Sequence, residues 1–192
     1  MNAAAPALLP ASDSALLVRF GDEIGLDTHV HVLRLVTALR ELPFVRNLHP
    51  AYASVLVSFD PTQAALATVR DAIAAVLRDL PQTDLPSSRH VEIPVCYAPS
   101  FAPDLDDVAR QAHITTEEVV ALHSSPEYRV YFLGFSPGFP YLGGLPARIA
   151  TPRLAAPRPR VPAGSVAIGG AQTGVYPMAS PGGWRLIGRT PL

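Results

Sequence analysis

The chain contains no lysine, and this absence excludes several kinds of chemistry. All 15 basic residues apart from histidine are arginine. A Walker A phosphate loop, a Schiff base and a biotin attachment site each need a lysine, so this chain can form none of them. No apolar run approaches the roughly 20 residues that span a bilayer, which argues against a membrane segment.

Cysteine is nearly absent as well, since Cys96 is the single one in the chain. One cysteine cannot form an internal disulfide, and this favours a reducing, cytoplasmic location. Cys96 lies in the apolar, strand-like run 91–97. Free cysteines are among the most buried residues, so the sequence predicts a buried structural thiol.

Acidic residues are missing from the last third of the chain. All 16 lie between Asp13 and Glu127, a span with eight arginines, whereas residues 128–192 hold seven arginines and no Asp, Glu or His. The last third alone therefore cannot build a metal site, a Ser-His-Asp triad or a carboxylate general base. Its arginines can bind a small anion, because guanidinium groups pair with carboxylate or phosphate. The acidic first part and the lack of a recognition motif argue against a nucleic-acid partner.

Apolar periodicity before residue 96 predicts a ferredoxin-like α/β domain over residues 12–95, preceded by a flexible tail over 1–11. Strands are predicted over 14–20, 44–49, 54–59 and 89–95, with a polar turn over 81–88. One helix is predicted from Asp27 or Thr28 to about Glu41, and another from Asp60-Pro61 onward. The resulting order is β-α-β-β-α-β.

Residues 96–192 begin with two predicted helices and continue as short strands. Asp104 and Thr115 stand at the two helix starts, and from residue 128 Gly/Pro turns separate short apolar runs, which predicts a small closed β-structure. Asp104, Asp106 and Asp107 are interpreted as partners of a helix dipole rather than as metal ligands. The histidine pairs His113/His123 and His29/His31 lack a third ligand at a diagnostic spacing, so they are interpreted as surface or core residues.

Four clusters in the last third combine turn residues with functional side chains. They cover residues 134–142, 152–160, 161–168 and 180–191. Glycine and proline shape the corners of a barrel, but the arginine, aromatic and serine content predicts a small, mainly apolar pocket with a few fixed polar groups. The candidate substrate-binding, anion-binding or interface residues are Phe135, Pro137, Phe139, Tyr141, Arg153, Arg158, Arg160, Ser165, Gln172, Tyr176, Ser180, Trp184 and Arg189. Arg148 and Arg185 are expected to be solvated surface charges.

These clusters, together with residues 50–54 (Pro-Ala-Tyr-Ala-Ser), resemble the family of the 5-oxoprolinase B subunit (PxpB), the kinase inhibitor KipI and allophanate hydrolase subunit 1. The resemblance implies an α+β protein: a ferredoxin-like α/β domain followed by a cyclophilin-like β-barrel over 96–192, which is expected to lack its final strands. The implied function is that of a non-autonomous subunit of an ATP-dependent 5-oxoprolinase, which converts 5-oxo-L-proline to L-glutamate.

The resemblance also implies partners. These are a C-type subunit (PxpC- or KipA-like), an A-type subunit (LamB- or YcsF-like) and a small anionic substrate. ATP would act at the level of the complex, with no metal or covalent cofactor on this chain, and the general base would come from a partner. Two alternatives stay open: a KipI-like inhibitor of a sensor histidine kinase, and a subunit related to allophanate hydrolase or urea carboxylase.

Overall fold

The computed structural model describes residues 5–80 and 88–191, and the chain divides into two compact units. The first unit is Met1–Ser88 and the second is Arg89–Leu192. The sequence predicted a domain boundary after residue 95, which lies later in the chain than this division. Each unit has its own hydrophobic core.

The first unit consists of a four-stranded antiparallel sheet and two helices. Its elements are β1 (Ala7–Ser12), β2 (Ala15–Arg19), α1 (Leu26–Leu39), β3 (Val45–Pro50), β4 (Ser54–Phe59) and α2 (Leu66–Arg78). The strand order is β1-β2-β4-β3. Alternate residues of β4, namely Val55, Val57 and Phe59, are buried, as are Val32 and Leu35 of α1 in the same core. This alternation is typical of a sheet with one face on the core.

The observed order of the first unit is β-β-α-β-β-α, which corrects the predicted β-α-β-β-α-β. The interpretation of residues 1–11 as a flexible tail is wrong for residues 7–11. They belong to β1, which pairs with β2 from Ala7↔Arg19 to Ser12↔Ala15. Residues 89–95 form no strand, and Val91 and Ile93 are exposed. The predicted final strand would pair with the free edge of β2, but β1 already pairs with that edge. The edge of a strand can pair with one further strand only. Most of the turn predicted over 81–88 lies outside the described residues.

The second helix starts later than the sequence predicted. Residues 61–63 form a turn, and α2 begins at Leu66. The carboxylate of Asp60 accepts hydrogen bonds from the amide and hydroxyl of Thr62, and it is ion-paired with Arg46. These contacts lower the pKa of Asp60 to about 2. Asp60 therefore stabilises the turn before the helix and does not start the helix itself. Short polar side chains can form hydrogen bonds to nearby backbone amides that compete with helix formation.

The second unit combines two helices with seven strands. Its elements are α3 (Leu105–Ala112), α4 (Thr116–Ser124), β5 (Arg129–Leu133), β6 (Pro140–Gly143), a 3-10 helix (Ala147–Ile149), β7 (Arg158–Val161), β8 (Ser165–Gly169), β9 (Gln172–Val175), β10 (Ser180–Gly182) and β11 (Arg185–Arg189). Five strands form an antiparallel sheet in the order β11-β8-β9-β6-β5, and β10 pairs with β7 in a separate ribbon. Thr115 and Glu118 form a capping box at the start of α4, where the sequence predicted that a helix begins.

The five-stranded sheet has two faces with different packing. On one face, which we call the helical face, Val166, Ile168 and Ile187 pack with residues of α3 and α4. On the other, which we call the aromatic face, Ala167 and Leu186 pack with aromatic rings and with Val161 of the ribbon. Successive side chains of a strand point to opposite faces, and this explains why neighbours along β8 belong to different clusters. Within the described residues, no helix is both long and apolar enough to cross a membrane.

Candidate functional site

Six aromatic side chains form a continuous cluster at the aromatic face. They are Phe132, Phe135, Phe139, Tyr141, Tyr176 and Trp184. Phe139 lies at the centre, with its ring centroid 5.1 Å from that of Tyr176, 5.2 Å from that of Tyr141 and 5.5 Å from that of Trp184, all edge to face. Such pairs are favourable beyond the burial of their area. Phe139 and Tyr176 are each only 2% exposed, so these two candidate residues fill the core of the cluster.

Phe135 is the exposed member of this aromatic cluster. Its side chain is 61% exposed, and its φ of 63° is in the left-handed region that non-glycine residues rarely adopt. The turn that follows is of type II: the Phe139 amide donates to the Ser136 carbonyl (3.0 Å), Pro137 takes the second position, and Gly138 with a φ of 80° takes the third. The turn holds the Phe135 ring at the surface, edge-on to Phe139 and Tyr176.

Close packing at two glycines positions the rings. A Cβ on Gly169 would come within 2.6 Å of the Trp184 ring. A Cβ on Gly182 would meet the hydroxyl of Tyr176. Any other residue at these positions would displace a ring, so glycine is needed at both positions to let the rings pack closely against the backbone.

Arg158 on β7 is oriented by a carboxylate from a helix start. Its Nη2 donates to Oδ1 of Asp104 (2.6 Å), while Oδ2 of Asp104 accepts from the Leu186 amide (2.7 Å). Asp104 is 7% exposed. Nη1 of Arg158 is buried and has no hydrogen-bond partner among the described residues. The ion pair therefore fixes the guanidinium and leaves one nitrogen available.

Two further arginines lie close to this cluster and to α3. The guanidinium of Arg153 is 5.6 Å from the centroid of the Trp184 ring, a cation–π distance. Arg185, expected to be a solvated charge, instead pairs with Asp107, and its Nε donates to the Pro152 carbonyl (3.0 Å). Asp104 and Asp107 are thus ion-pair partners of the arginine-rich segment. The helix-dipole interpretation missed this role, although the excess of acid before residue 128 and of base after it was a visible signal.

Three further positions carry buried polar atoms without a partner among the described residues. Oε1 of Gln172 and Oγ of Ser180 are two of them, and Oγ of Ser136, which the sequence did not single out, is the third. Gln172 pairs with Gly169, so its side chain is on the face that Trp184 covers. Ser180 pairs with Val161 in the ribbon. Buried polar atoms are nearly always hydrogen-bonded, so unpartnered ones around an aromatic cluster mark a candidate ligand site.

The remaining candidates are more scattered. Ser165 is buried on β8, two residues before Ala167 of the aromatic face. Pro137 and Arg160 are exposed. Arg189 pairs through its backbone with Cys96 and is not part of the aromatic cluster. Cys96 itself is exposed, so the predicted buried thiol is wrong; its strand-like run makes one isolated bridge and does not enter a sheet interior.

On the helical face, the buried His123 belongs to a hydrogen-bond network that the sequence analysis did not predict. Tyr97 Oη is 3.0 Å from Nδ1 of His123, and Nε2 of His123 is 3.0 Å from Oγ1 of Thr173. Thr173 donates its only hydroxyl proton to the Ala167 carbonyl (2.9 Å), so it accepts from Nε2, and Nδ1 accepts from Tyr97. Burial lowers the pKa of His123 to about 4, so the ring is neutral.

Burial also raises the pKa of Tyr176, which leaves its hydroxyl protonated at neutral pH. The Trp184 amide and the nearby Arg153 and Arg158 oppose this shift. Among the described residues, no group of three His, Cys, Asp or Glu side chains could hold a metal ion. What the aromatic face offers is hydrogen-bonding groups and two arginines, Arg153 and Arg158, beside rings, an arrangement suited to binding a small anion.

Comparisons with known proteins identify relatives that resemble this chain over most of its length. Two relatives, each named as the B subunit of 5-oxoprolinase, come from Bacillus subtilis (strain 168) and Escherichia coli O157:H7 and are 43% and 45% identical. In both cases the match covers 94% of this chain, and it covers 80% and 82% of the relatives. The crystal structure of TTHA0988 superposes with a TM-score of 0.77 at 38% identity, over 93% of this chain and about a third (34%) of that chain. The model of the family described as carboxyltransferase domain, subdomain C and D, matches residues 6–192, and the chain belongs to this family.

Proposed function

We propose that this chain is the B subunit of an ATP-dependent 5-oxoprolinase, which opens 5-oxo-L-proline to L-glutamate. The observation that carries the proposal is the likeness, along nearly the whole chain, to two proteins that bear this name. A protein of this kind works within a complex, and we assign the partners as C-type and A-type subunits. In the second unit, the sheet and ribbon are proposed to follow the cyclophilin-like barrel plan, and the first unit a ferredoxin-like plan with β1 as the edge strand.

The proposed role of the chain is to bind the substrate anion rather than to supply the general base. Asp104 is occupied by Arg158 and the Leu186 amide, and Asp107 by Arg185 and Arg110. His123 is buried and neutral within its network. A base needs an accessible, unengaged acceptor within reach of the water it activates. None of these three groups meets that need, and we therefore place the base on a partner, so that the chain does not act alone.

Arg158 and the unpartnered polar atoms are the proposed contacts to the substrate. The free Nη1 of Arg158 suits a carboxylate oxygen, and the hydroxyl of Ser180 and the amide of Gln172 suit the remaining polar groups of a lactam. Phe135, Tyr141 and Trp184 would contact the apolar part of the ring, with Arg153 held against Trp184. ATP supplies the driving force for hydrolysis of the lactam, and we place it at the level of the complex.

The proposal is tested by reconstitution with A-type and C-type subunits. Glutamate formation should require 5-oxo-L-proline, ATP and all three proteins, and the isolated chain should form none. Urea replaces 5-oxo-L-proline as the rival substrate, and a sensor histidine kinase replaces the two subunits in a binding assay. ATP-dependent turnover of urea would favour the subunit related to allophanate hydrolase or urea carboxylase. Tight binding to the kinase with no turnover of either substrate would favour the KipI-like inhibitor.

The role of Arg158 is tested in that complex with Arg158→Lys. Lysine keeps the positive charge beside Asp104 but cannot present a second planar nitrogen. We expect the KM for 5-oxo-L-proline to rise by about tenfold to a hundredfold, the range of a hydrogen bond to a charged group, with a smaller change in kcat. Arg148→Lys, at an exposed position outside the cluster, is the matched control and should leave KM unchanged. Equal KM values for both variants would remove Arg158 from the site.

A further inference from the structure

A second candidate ligand site lies in the second unit, in a cavity of about 460 Å³ that no residue of the aromatic cluster lines. Its walls include Cys96, Phe101, Ala163, Gly164, Arg189 and Pro191. The volume lies within the range of cavities that bind small molecules. Most of the wall is apolar, and Arg189 is the charged residue among those that line it.

The backbone around Arg189 is held in place on both sides. Its amide donates to the Cys96 carbonyl (2.9 Å), and the Cys96 amide donates back to the Arg189 carbonyl (2.8 Å). Gly164 has a φ of 78°, and a Cβ there would come within 2.4 Å of the Thr190 carbonyl oxygen. Only glycine permits this approach, and it fixes the part of the cavity wall that lies beside Arg189.

The side chain of Arg189 is anchored at one end only. Its Nε donates to the Ala163 carbonyl (2.9 Å). Within the described residues, no carboxylate lies at ion-pair distance from its guanidinium, whereas Arg158 and Arg185 of the same unit each pair with an aspartate. Among the described residues, Arg189 is therefore an oriented, half-buried cation without a carboxylate partner, and such a group favours an anionic ligand.

We propose that this cavity binds a small organic monocarboxylate, with the terminal nitrogens of Arg189 on the carboxylate and Phe101 and Pro191 against the apolar body of the ligand. One cation matches one negative charge. A phosphate dianion would leave its second charge unpaired between apolar walls, which is unfavourable. The ring of Phe101 is 42% exposed, as expected for a wall that a ligand would cover. This site is independent of the proposed 5-oxoprolinase activity and of Arg158.

Cys96 provides a built-in reporter, because it is the single thiol of the chain and is exposed at the cavity. The rate of its alkylation by iodoacetamide is measured on the full chain by intact mass. Cyclopentanecarboxylate and 5-oxo-L-proline are the carboxylate probes, and cyclopentanecarboxamide and inorganic phosphate are the comparison probes at matched ionic strength. At a probe concentration of twice its Kd, labelling should slow about threefold, because only the empty fraction reacts.

Three variants decide whether the protection arises as proposed. Arg189→Gln should abolish it, and Phe101→Ala, which leaves the cation and its anchor in place, should weaken it. Arg148→Gln changes an exposed arginine outside the cavity and should leave it intact. Far-ultraviolet circular dichroism confirms that each variant is folded.

The proposal is overturned by any of three results. These are no protection by either carboxylate, equal protection by the carboxamide or by phosphate, and unchanged protection in Arg189→Gln. Protection by one or both carboxylates that depends on Arg189 and Phe101 supports it. Because this assay needs no partner protein and no turnover, its failure is distinct from a failure of the 5-oxoprolinase assay.

Discussion

The helical face and the aromatic face of the five-stranded sheet differ in how their polar groups are satisfied. On the helical face, the chain of hydrogen bonds from Tyr97 through His123 and Thr173 to the Ala167 carbonyl leaves no ring nitrogen unpaired. On the aromatic face, Gln172 and neighbouring residues keep buried polar atoms without a partner among the described residues. A fully paired network stabilises a fold, whereas unpaired groups reduce stability and suit a ligand. This difference fits the proposed binding role of the aromatic face and a structural role of the helical face.

The largest effect is expected where Asp104 joins α3 to both β7 and β11. We expect Asp104→Ala to lower the free energy of unfolding by about 3–5 kcal/mol, since it leaves the Arg158 cation and the Leu186 amide unpaired. Urea denaturation measures the change. Asp106→Ala is the matched control: Asp106 is exposed in the same helical turn and has only the helix dipole to lose, which is worth less than about 1 kcal/mol. Similar losses in both variants would contradict the structural role of Asp104.

The second prediction uses pH to test the helical face. The pKa of His123 is lowered from 6.5 to about 4 by burial, so the folded state resists protonation that the unfolded state accepts. Stability should be fully present above pH 6.5 and should fall by about 3 kcal/mol as the pH drops from 6.5 to 4, following the linkage of proton binding to folding. Urea denaturation at several pH values measures this slope, and Asp60 stays ionised throughout because its pKa is about 2.

A pair of histidine variants controls for other titrating groups. His123→Gln should flatten the pH dependence of stability between 6.5 and 4. His113→Asn changes an exposed histidine whose left-handed φ of 55° asparagine tolerates, and it should keep the full slope. A slope that survives in His123→Gln would assign the effect to another group.

The smallest and most selective effect separates the two faces directly. Thr173→Val removes a paired hydroxyl, and we expect it to lower the free energy of unfolding by about 1–3 kcal/mol while the KM of the reconstituted complex is unchanged. Ser180→Ala removes an unpaired hydroxyl, so its stability should stay within about 0.5 kcal/mol while KM rises. Urea denaturation and steady-state kinetics measure the two quantities. The opposite assignment, with KM sensitive to Thr173 only, would move the binding role to the helical face.

Local sequence signals predicted many of the elements, because strand and helix patterns depend on neighbouring residues. The strand over Ser54–Phe59 and the helix start at Thr115 were predicted from alternation and from residue type. The role of residues 7–12 did not follow, because an edge strand with mostly exposed residues has weak periodicity. The failure at residues 89–95 has the converse cause: their pattern is strand-like, but whether a strand forms depends on a free sheet edge that only the assembled unit shows.

The candidate site was predictable in its composition and only partly in its arrangement. The aromatic residues Phe135, Phe139, Tyr141, Tyr176 and Trp184 come together as one cluster, consistent with motifs that combine rings with turn residues. The arginines do not stay together. Arg158 lies with Asp104, whereas Arg189 lines a separate cavity with Cys96. Side chains from distant segments decide these partners, and sequence spacing carries no information about them.

The sequence by itself determined the chemistry that the last third of this chain lacks: with no lysine and no acid after residue 127, it offers arginines, rings and hydroxyls. It also determined the family likeness, since motifs of turn residues are read directly from the chain. Only the tertiary structure decided which arginines pair with an aspartate. Asp104 and Asp107 lie at the start of α3, far in sequence from Arg158 and Arg185. Folding brings the two pairs together because a buried cation needs a paired anion. Arg189 has no such partner among the described residues, and its Nε donates to the Ala163 carbonyl instead.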